Sequence, residues 1–176
     1  DSLTEGGALP KDQRDQAWVK IVERDSGGTL KMINEGKGGR ATGDGKHDFD
    51  KMTARHPRAD KLVIALGTND SRDLKEGSVA KAVDNVRYMM DRALQCYGPL
   101  PIVLVGPPNL NKSALGPTKP IANEREAQLK ALGIAFEALA KEKQCEFVSL
   151  FGVVREQTML KDGVHPDAVG KRRWRR

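Results

Sequence analysis

Lys61-Leu62-Val63-Ile64-Ala65-Leu66-Gly67-Thr68-Asn69-Asp70 is the stretch on which the fold turns. Leu62 to Leu66 are apolar without alternation, and the run stops at Gly67. Such a run reads as a strand buried on both faces of a parallel sheet, because an antiparallel strand with one wet face would alternate. Pro101 to Val105, ending at Gly106, and Glu146 to Leu150 read as two more strands. The segments between them have helical spacing. Ser78 is placed to cap a long helix whose inner face is Val79, Ala82, Val83, Val86, Met89, Met90 and Ala93. A Met pair on such a face fills gaps in packing and needs no cofactor. A second helix starts near Asn123, with Ala127, Leu132, Phe136, Leu139 and Ala140 inward. Strands alternating with long helices predict a parallel sheet with helices on both faces.

Toward the N-terminus, Asp12 is placed to cap a helix carrying Ala17, Trp18, Ile21 and Val22 on one face and ending at Gly27-Gly28. Leu30 to Ile33 reads as a short strand feeding Asn34 and a glycine-rich turn. Arg40 to Arg58 is polar and punctuated by Gly43, Gly45 and Pro57, with one helical turn expected at Phe49 to Met52. Near the other end, Pro166 suits the first position of a last helix.

The chain has 176 residues, 38% hydrophobic and 31% charged, which is the size and balance of one folded domain spanning 1–176. No apolar run approaches the ~20 residues a membrane-spanning helix needs. Cys96 and Cys145 have no metal or redox spacing and are expected to be buried thiols. The net charge of +6 is concentrated in Lys171, Arg172, Arg173, Arg175 and Arg176, leaving the remainder nearly neutral. A charge run confined to a tail is usually a solvated end, so no nucleic-acid partner is expected. His47 and His56 lack a third ligand at useful spacing, which predicts surface histidines and no metal. Gly36-Lys37-Gly38-Gly39 lacks the spacing and the Lys-Ser/Thr ending of a phosphate-binding loop. The pattern G-x-S-x-G is absent from the chain.

In open parallel sheets, reactive groups gather beyond the carboxyl ends of the strands. Four stretches are candidates for that position: Asp1-Ser2-Leu3-Thr4-Glu5-Gly6, Asn34-Glu35-Gly36-Lys37-Gly38-Gly39, Gly67-Thr68-Asn69-Asp70 and Asp162-Gly163-Val164-His165-Pro166. Each has a plainer reading. Ser2 can be a helix cap, Gly67 to Asp70 a strand-ending turn in which Asn tolerates a left-handed backbone, and Asp162 to Pro166 a polar turn before a helix. Asn34 and Thr42 read as supports for turn structure, and Asp70 as a cap or a supporting group.

Taken together and in this order, the four stretches resemble the sequence blocks of the SGNH (GDSL-type) hydrolases, from Asp1 to about Gly170. The look is closest to the small arylesterase and acyltransferase branch. The resemblance implies a flavodoxin-like three-layer α/β/α sandwich around a mostly parallel sheet. It also implies a first strand ahead of the serine, expected before Asp1. It implies a carboxylic ester hydrolase, with acyltransfer as a side activity, working through an acyl-enzyme and without a cofactor. The positions matching the family motif make Ser2 the nucleophile, Asp162 and His165 the groups that activate it, and Ser2, Gly39 and Asn69 the oxyanion hole. The chemistry agrees. An ester needs a nucleophile, a base, an orienting group for that base and donors for the oxyanion. A spacing of three lets Asp162 fold back on one imidazole nitrogen of His165, leaving the other toward Ser2. A glycine N–H and a side-chain amide donate without adding charge.

Short polar loops, with no long apolar lid, point to a small acyl group such as acetyl on a small-molecule ester. A lysophospholipase or thioesterase of the same family, and a binding module that kept the fold without catalysis, are the other readings. The last helix of the family continues with apolar residues; here only Val169 and Trp174 are offered. Compartment and oligomeric state are left open by the sequence.

Overall fold

The computed structural model describes residues 1–172. Its centre is a three-stranded parallel sheet, β1 (Leu62–Ala65), β2 (Ile102–Val105) and β3 (Glu146–Val148), in that spatial order. Leu62 pairs with Ile102 and Val103 with Glu146, so each strand starts at one edge and delivers its C-terminal end to the same side. Three long helices, α3 (Thr42–Arg55), α4 (Ser78–Tyr97) and α5 (Ala122–Glu142), build the main core with the sheet. That core joins Phe49 of α3, Ile64, Ile102 and Leu104 of the sheet, Val86, Met89 and Met90 of α4, and Leu132, Phe136 and Leu139 of α5. Two smaller helices open the chain, α1 (Ser2–Glu5) and α2 (Trp18–Asp25), and α6 (Ala168–Lys171) closes it. The N-terminal residues approach the sheet as well: Leu3 and Thr4 line a small gap together with Ala65 and Val105.

The three apolar runs are the three strands, and the inner face expected of α4 is the one observed, with Asn85 added to it. Several details differ. Leu30 to Ile33 is not a strand; it finds no ladder partner among the described residues, leaves Leu30 and Ile33 exposed, and has Met32 N–H held by the Glu23 carboxylate. The polar stretch expected to hold one helical turn is the 14-residue α3. Its first turn is secured by side chains that a hydropathy pattern does not show: the Asp44 carboxylate accepts the Ala41 N–H, and the Asp70 carboxylate accepts the Thr42 N–H. Lys11–Gln16 is a 3₁₀ turn, and the helix expected from near Asp12 is α2, which begins at Trp18 with Val19 and Ile21 buried.

Ser78 is the first residue of α4 and not its cap; Gly77 precedes the helix in a left-handed conformation, and the Ser78 hydroxyl accepts from the Gln128 amide. On α5, Ala127 is exposed because the buried stripe runs through Arg125, Leu129, Leu132 and Phe136, at steps of three and four. Cys96 is exposed, lying past the buried stripe of α4 that ends at Ala93, while Cys145 is half-buried at the edge of the core. Pro166 stands ahead of α6, whose cap is the Asp167 side chain accepting from Gly170 N–H. The largest departure is at the basic end. Lys171 is buried rather than solvated, and Val169 is exposed rather than packed. Trp174 and the final arginines lie outside the described residues. No helix among the described residues is long and apolar enough to cross a membrane.

Phe136 is fully buried where α5 meets the sheet, while Ile134, two residues earlier, is 72% exposed. Removing the ring leaves a cavity, so Phe136→Ala should lower the unfolding free energy by about 3–5 kcal/mol. Ile134→Ala should stay within about 0.5 kcal/mol of the parent. Urea unfolding followed by circular dichroism measures both.

Candidate active site

Four chain segments meet beyond the carboxyl ends of the strands. The first is α1. Asp1 caps it through a carboxylate that accepts the Leu3 N–H at 2.9 Å, and Gly6 ends it in a left-handed conformation. Ser2 thus sits in the first turn of a short, closed helix, half-buried. The second segment is the turn from Asn34 to Arg40. The Asn34 amide donates to Thr4 O at 2.9 Å, and its oxygen accepts the Gly36 N–H at 2.8 Å. Gly36 packs so closely on α1 that a Cβ there would lie 2.3 Å from Glu5 N. Only glycine allows this approach. Gly39 follows with a φ of 73°, and its N–H has no hydrogen-bond partner among the described residues.

The third segment follows β1. Gly67 has a φ of 113° and lies against Phe136 and Pro107, which turns the chain sharply out of the strand. Asn69 comes next, and its side-chain amide donates to Arg40 O at 3.1 Å, tying this segment to the turn after Gly39. Asp70 is a supporting group, as expected. Its carboxylate accepts from Thr42 N and, at 2.5 Å, from Thr42 Oγ1, while Thr42 Oγ1 accepts from the Asn85 amide. Burial raises the Asp70 carboxyl above its usual pKa, against the opposing pull of the Thr42 bonds.

The fourth segment carries the candidate base. The Asp162 Oδ1 atom accepts the N–H groups of Val164 and His165, each at 2.9 Å, which closes a tight turn. That turn brings Asp162 Oδ2 to 2.7 Å from His165 Nδ1. The other imidazole nitrogen, Nε2, lies 2.8 Å from Ser2 Oγ. Hydroxyl, imidazole and carboxylate therefore form one hydrogen-bonded chain. Burial acts to raise the Asp162 carboxyl, but the His165 and Val164 N–H groups and the imidazole outweigh it, so its pKa lies below the ordinary value. The turn is anchored from outside too: Leu160 N–H donates to His165 O, and Asn111 N–H to Gly163 O.

The candidate residues Ser2, Gly39, Asn69, Asp162 and His165 all belong to these four segments. His47 is exposed beside Asp48, and His56, outside the four segments, bonds the Glu35 carboxylate of the second at 2.6 Å. Among the described residues no group of three or more His, Cys, Asp or Glu side chains could hold a metal. Three participants carry no signal in the sequence. The carbonyl of Arg40 is a backbone group and could not have been read from residue type. Arg125 and Lys171 are buried cations, whereas residue type alone assigns such side chains to the surface.

No curated protein sequence matches the chain. Solved structures do. The native aryl esterase of M. Smegmatis superposes with a TM-score of 0.81 at 23% identity, covering 99% of this chain and 91% of that one. Est24, a carbohydrate acetylesterase from Sinorhizobium meliloti, gives 0.79 at 23% identity, covering 99% and 91%. A putative arylesterase from Agrobacterium tumefaciens str. C58 gives 0.77 at 25% identity, covering 99% and 90%. The model of the GDSL-like Lipase/Acylhydrolase family matches residues 1–173. The chain belongs to that family and is a carboxylic ester hydrolase.

Two predictions follow from the Asp162 turn. Gly163 has a φ of 70°, and a Cβ there would lie 2.5 Å from Asn111 O, against backbone. Gly163→Ala should cost about 1–3 kcal/mol in denaturant unfolding and displace the imidazole, lowering turnover as well. The second concerns pH. Because the folded pKa of Asp162 is depressed, its stabilisation is present above the unfolded value, about 4, and is lost as pH falls through the folded value. Asp162→Asn should therefore lose less stability than the parent when melting is followed from pH 5 down to pH 3.

Proposed function

We propose that this member of the acylhydrolase family cleaves short-acyl carboxylic esters through a covalent acyl-enzyme formed on Ser2. The observation that carries the reading is the hydrogen-bonded chain from Ser2 Oγ through His165 to Asp162. In this reading Ser2 Oγ attacks the ester carbonyl carbon while His165 Nε2 takes its proton. The oxyanion that forms is met by the N–H groups of Ser2 and Gly39 and by the Asn69 amide. The tetrahedral intermediate collapses, the carbon–oxygen bond to the alcohol breaks, and His165 returns the proton to the leaving oxygen. Water then attacks the acyl-enzyme with His165 again as base, releasing the carboxylic acid and restoring Ser2. Asp162 fixes the imidazole tautomer and stabilises the imidazolium in both halves of the cycle. The 176 residues act as a single catalytic domain in this scheme.

Two observations favour a small acyl group. A cleft of about 400 Å³ beside the second segment is lined by polar and charged groups, among them Asn34, Glu35, Lys37 and Arg40. None of its lining residues carries an apolar side chain, whereas a long acyl chain would need an apolar groove. The solved neighbours include a carbohydrate acetylesterase and an aryl esterase, and this chain is proposed to take esters of those kinds.

Labelling with an organophosphonate ester, followed by peptide mapping, tests the nucleophile. The label should sit on Ser2 and should disappear in Ser2→Ala and His165→Ala. A label elsewhere, or none on a folded protein, would sink the assignment. Asn69→Ala should lower kcat about 10² to 10³-fold, the usual effect of losing one oxyanion donor. The rate on p-nitrophenyl esters should be highest at acetyl to butyryl; a preference for chains beyond about octanoyl would contradict the polar cleft.

A further inference from the structure

Lys171 is 1% exposed, and its Nζ lies 2.9 Å from Leu3 O. No carboxylate lies within ion-pairing distance of it among the described residues. Burial lowers its pKa to about 8. The two ends of this contact matter more than its chemistry. Leu3 belongs to α1, the four-residue helix that begins with Ser2. In so short a helix the late carbonyls have no intrahelical partner, and a cation at that end satisfies one of them. Lys171 belongs to α6, which is capped by Asp167, two residues after His165. The side chain thus connects the element carrying the serine to the element that follows the histidine, across 168 residues of sequence.

We propose that Lys171 is a positioning residue, setting the distance between Ser2 Oγ and His165 Nε2 by holding α1 against α6. A structural role alone does not account for it. A buried ammonium with a single carbonyl acceptor keeps much of its desolvation penalty, and an apolar side chain of similar length would pack there without it. What an apolar side chain would not do is fix α1 along the direction of the Leu3 carbonyl. The neighbouring contact, Arg172 to Gln16, is exposed and reaches a different segment. The inference rests on the proposed role of Ser2 as nucleophile.

The test compares Lys171→Met and Lys171→Gln with the parent and with Ser2→Ala, using p-nitrophenyl acetate turnover, the rate of phosphonate labelling, and thermal melting. Lys171→Met should melt at or above the parent temperature, with kcat down about 10- to 100-fold and KM within about twofold, the penalty expected for slight misplacement of reacting groups. Labelling of Ser2 should slow in the same proportion, because it reports nucleophile activation without substrate fit. If Lys171→Met fails to fold, Lys171→Gln decides. A folded variant with parental kcat and labelling rate overturns the inference. So does one whose loss lies in KM alone. Ser2→Ala with parental turnover would instead remove the nucleophile assignment itself; an inactive Ser2→Ala beside a fully active Lys171→Met removes only the role of Lys171.

Discussion

One hydrogen bond of 2.8 Å, between Ser2 Oγ and His165 Nε2, is the constraint on which the rest of the molecule depends. Its partners lie at opposite ends of the chain, so local structure cannot hold it. A displacement of 1 Å between reacting groups can cost about 10²-fold in rate. For the proposed reaction, the segments of Ser2 and His165 therefore have to be located to a fraction of an ångström by what lies between them. The parallel sheet performs the coarse part of that task. Pairing β1 with β2 and β2 with β3 in parallel sends every strand end to one side, so the loops that follow converge there. The core of α3, α4 and α5 on the sheet then makes that platform rigid.

Fine placement is achieved by backbone chemistry rather than by further packing. α1 is closed by Asp1 at one end and left-handed Gly6 at the other, and it rests on Gly36, where a Cβ would collide with its backbone. Asn34, Asn69 and Asp70 each reach out of their own segment to bind backbone of another. The outcome is a ring of contacts in which the turn after Asn34 touches α1, the turn after β1 touches the Asn34 turn through Arg40 O, and α3 is capped from the turn after β1. Such a ring constrains geometry more than any single bond in it, since moving one member strains its neighbours. The Asp162 turn stands outside this ring and closes on itself, with Asp162 Oδ1 binding the backbone while Oδ2 binds the imidazole.

This division explains what was legible in the sequence. β1, β2 and the inner face of α4 could be read because burial on a sheet or along a helix writes itself into hydropathy. The candidate residues Ser2, Asn69, Asp162 and His165 could be singled out because each stands in a short local motif, and the structure places Ser2, His165 and Asp162 in one hydrogen-bonded chain. α3 could not, because a helix held by Asp44 and Asp70 at its start and buried only at Thr42, Gly45, Phe49 and Thr53 looks polar throughout. Leu30 to Ile33 failed for the opposite reason. Its apolar residues between turns resemble a strand, but pairing needs a neighbour, and local sequence carries no information about one. Ala127 shows a finer limit: it lies five residues before Leu132 and so falls off the buried stripe, whose earlier member is the charged Arg125 rather than an apolar side chain.

The buried cations complete this picture from the other direction. Arg125 is fully buried with Ser71 Oγ at 3.2 Å and Thr118 Oγ1 at 2.7 Å; among the described residues it has no carboxylate, and one guanidinium nitrogen finds no partner. Burial, then repulsion from Arg72, lowers its pKa to about 10. Lys171 repeats the pattern at Leu3. By composition both belong to the charged residues that ordinarily cover a surface. Each instead bridges a helix to a segment of the site, Arg125 through Ser71 to the Thr68 carbonyl beside Asn69, and Lys171 to the helix of Ser2. A core built for stability alone would fill both positions with apolar groups. Their presence fits a molecule in which part of the folding free energy is given up so that short elements are held from the inside, where water cannot compete for the bond.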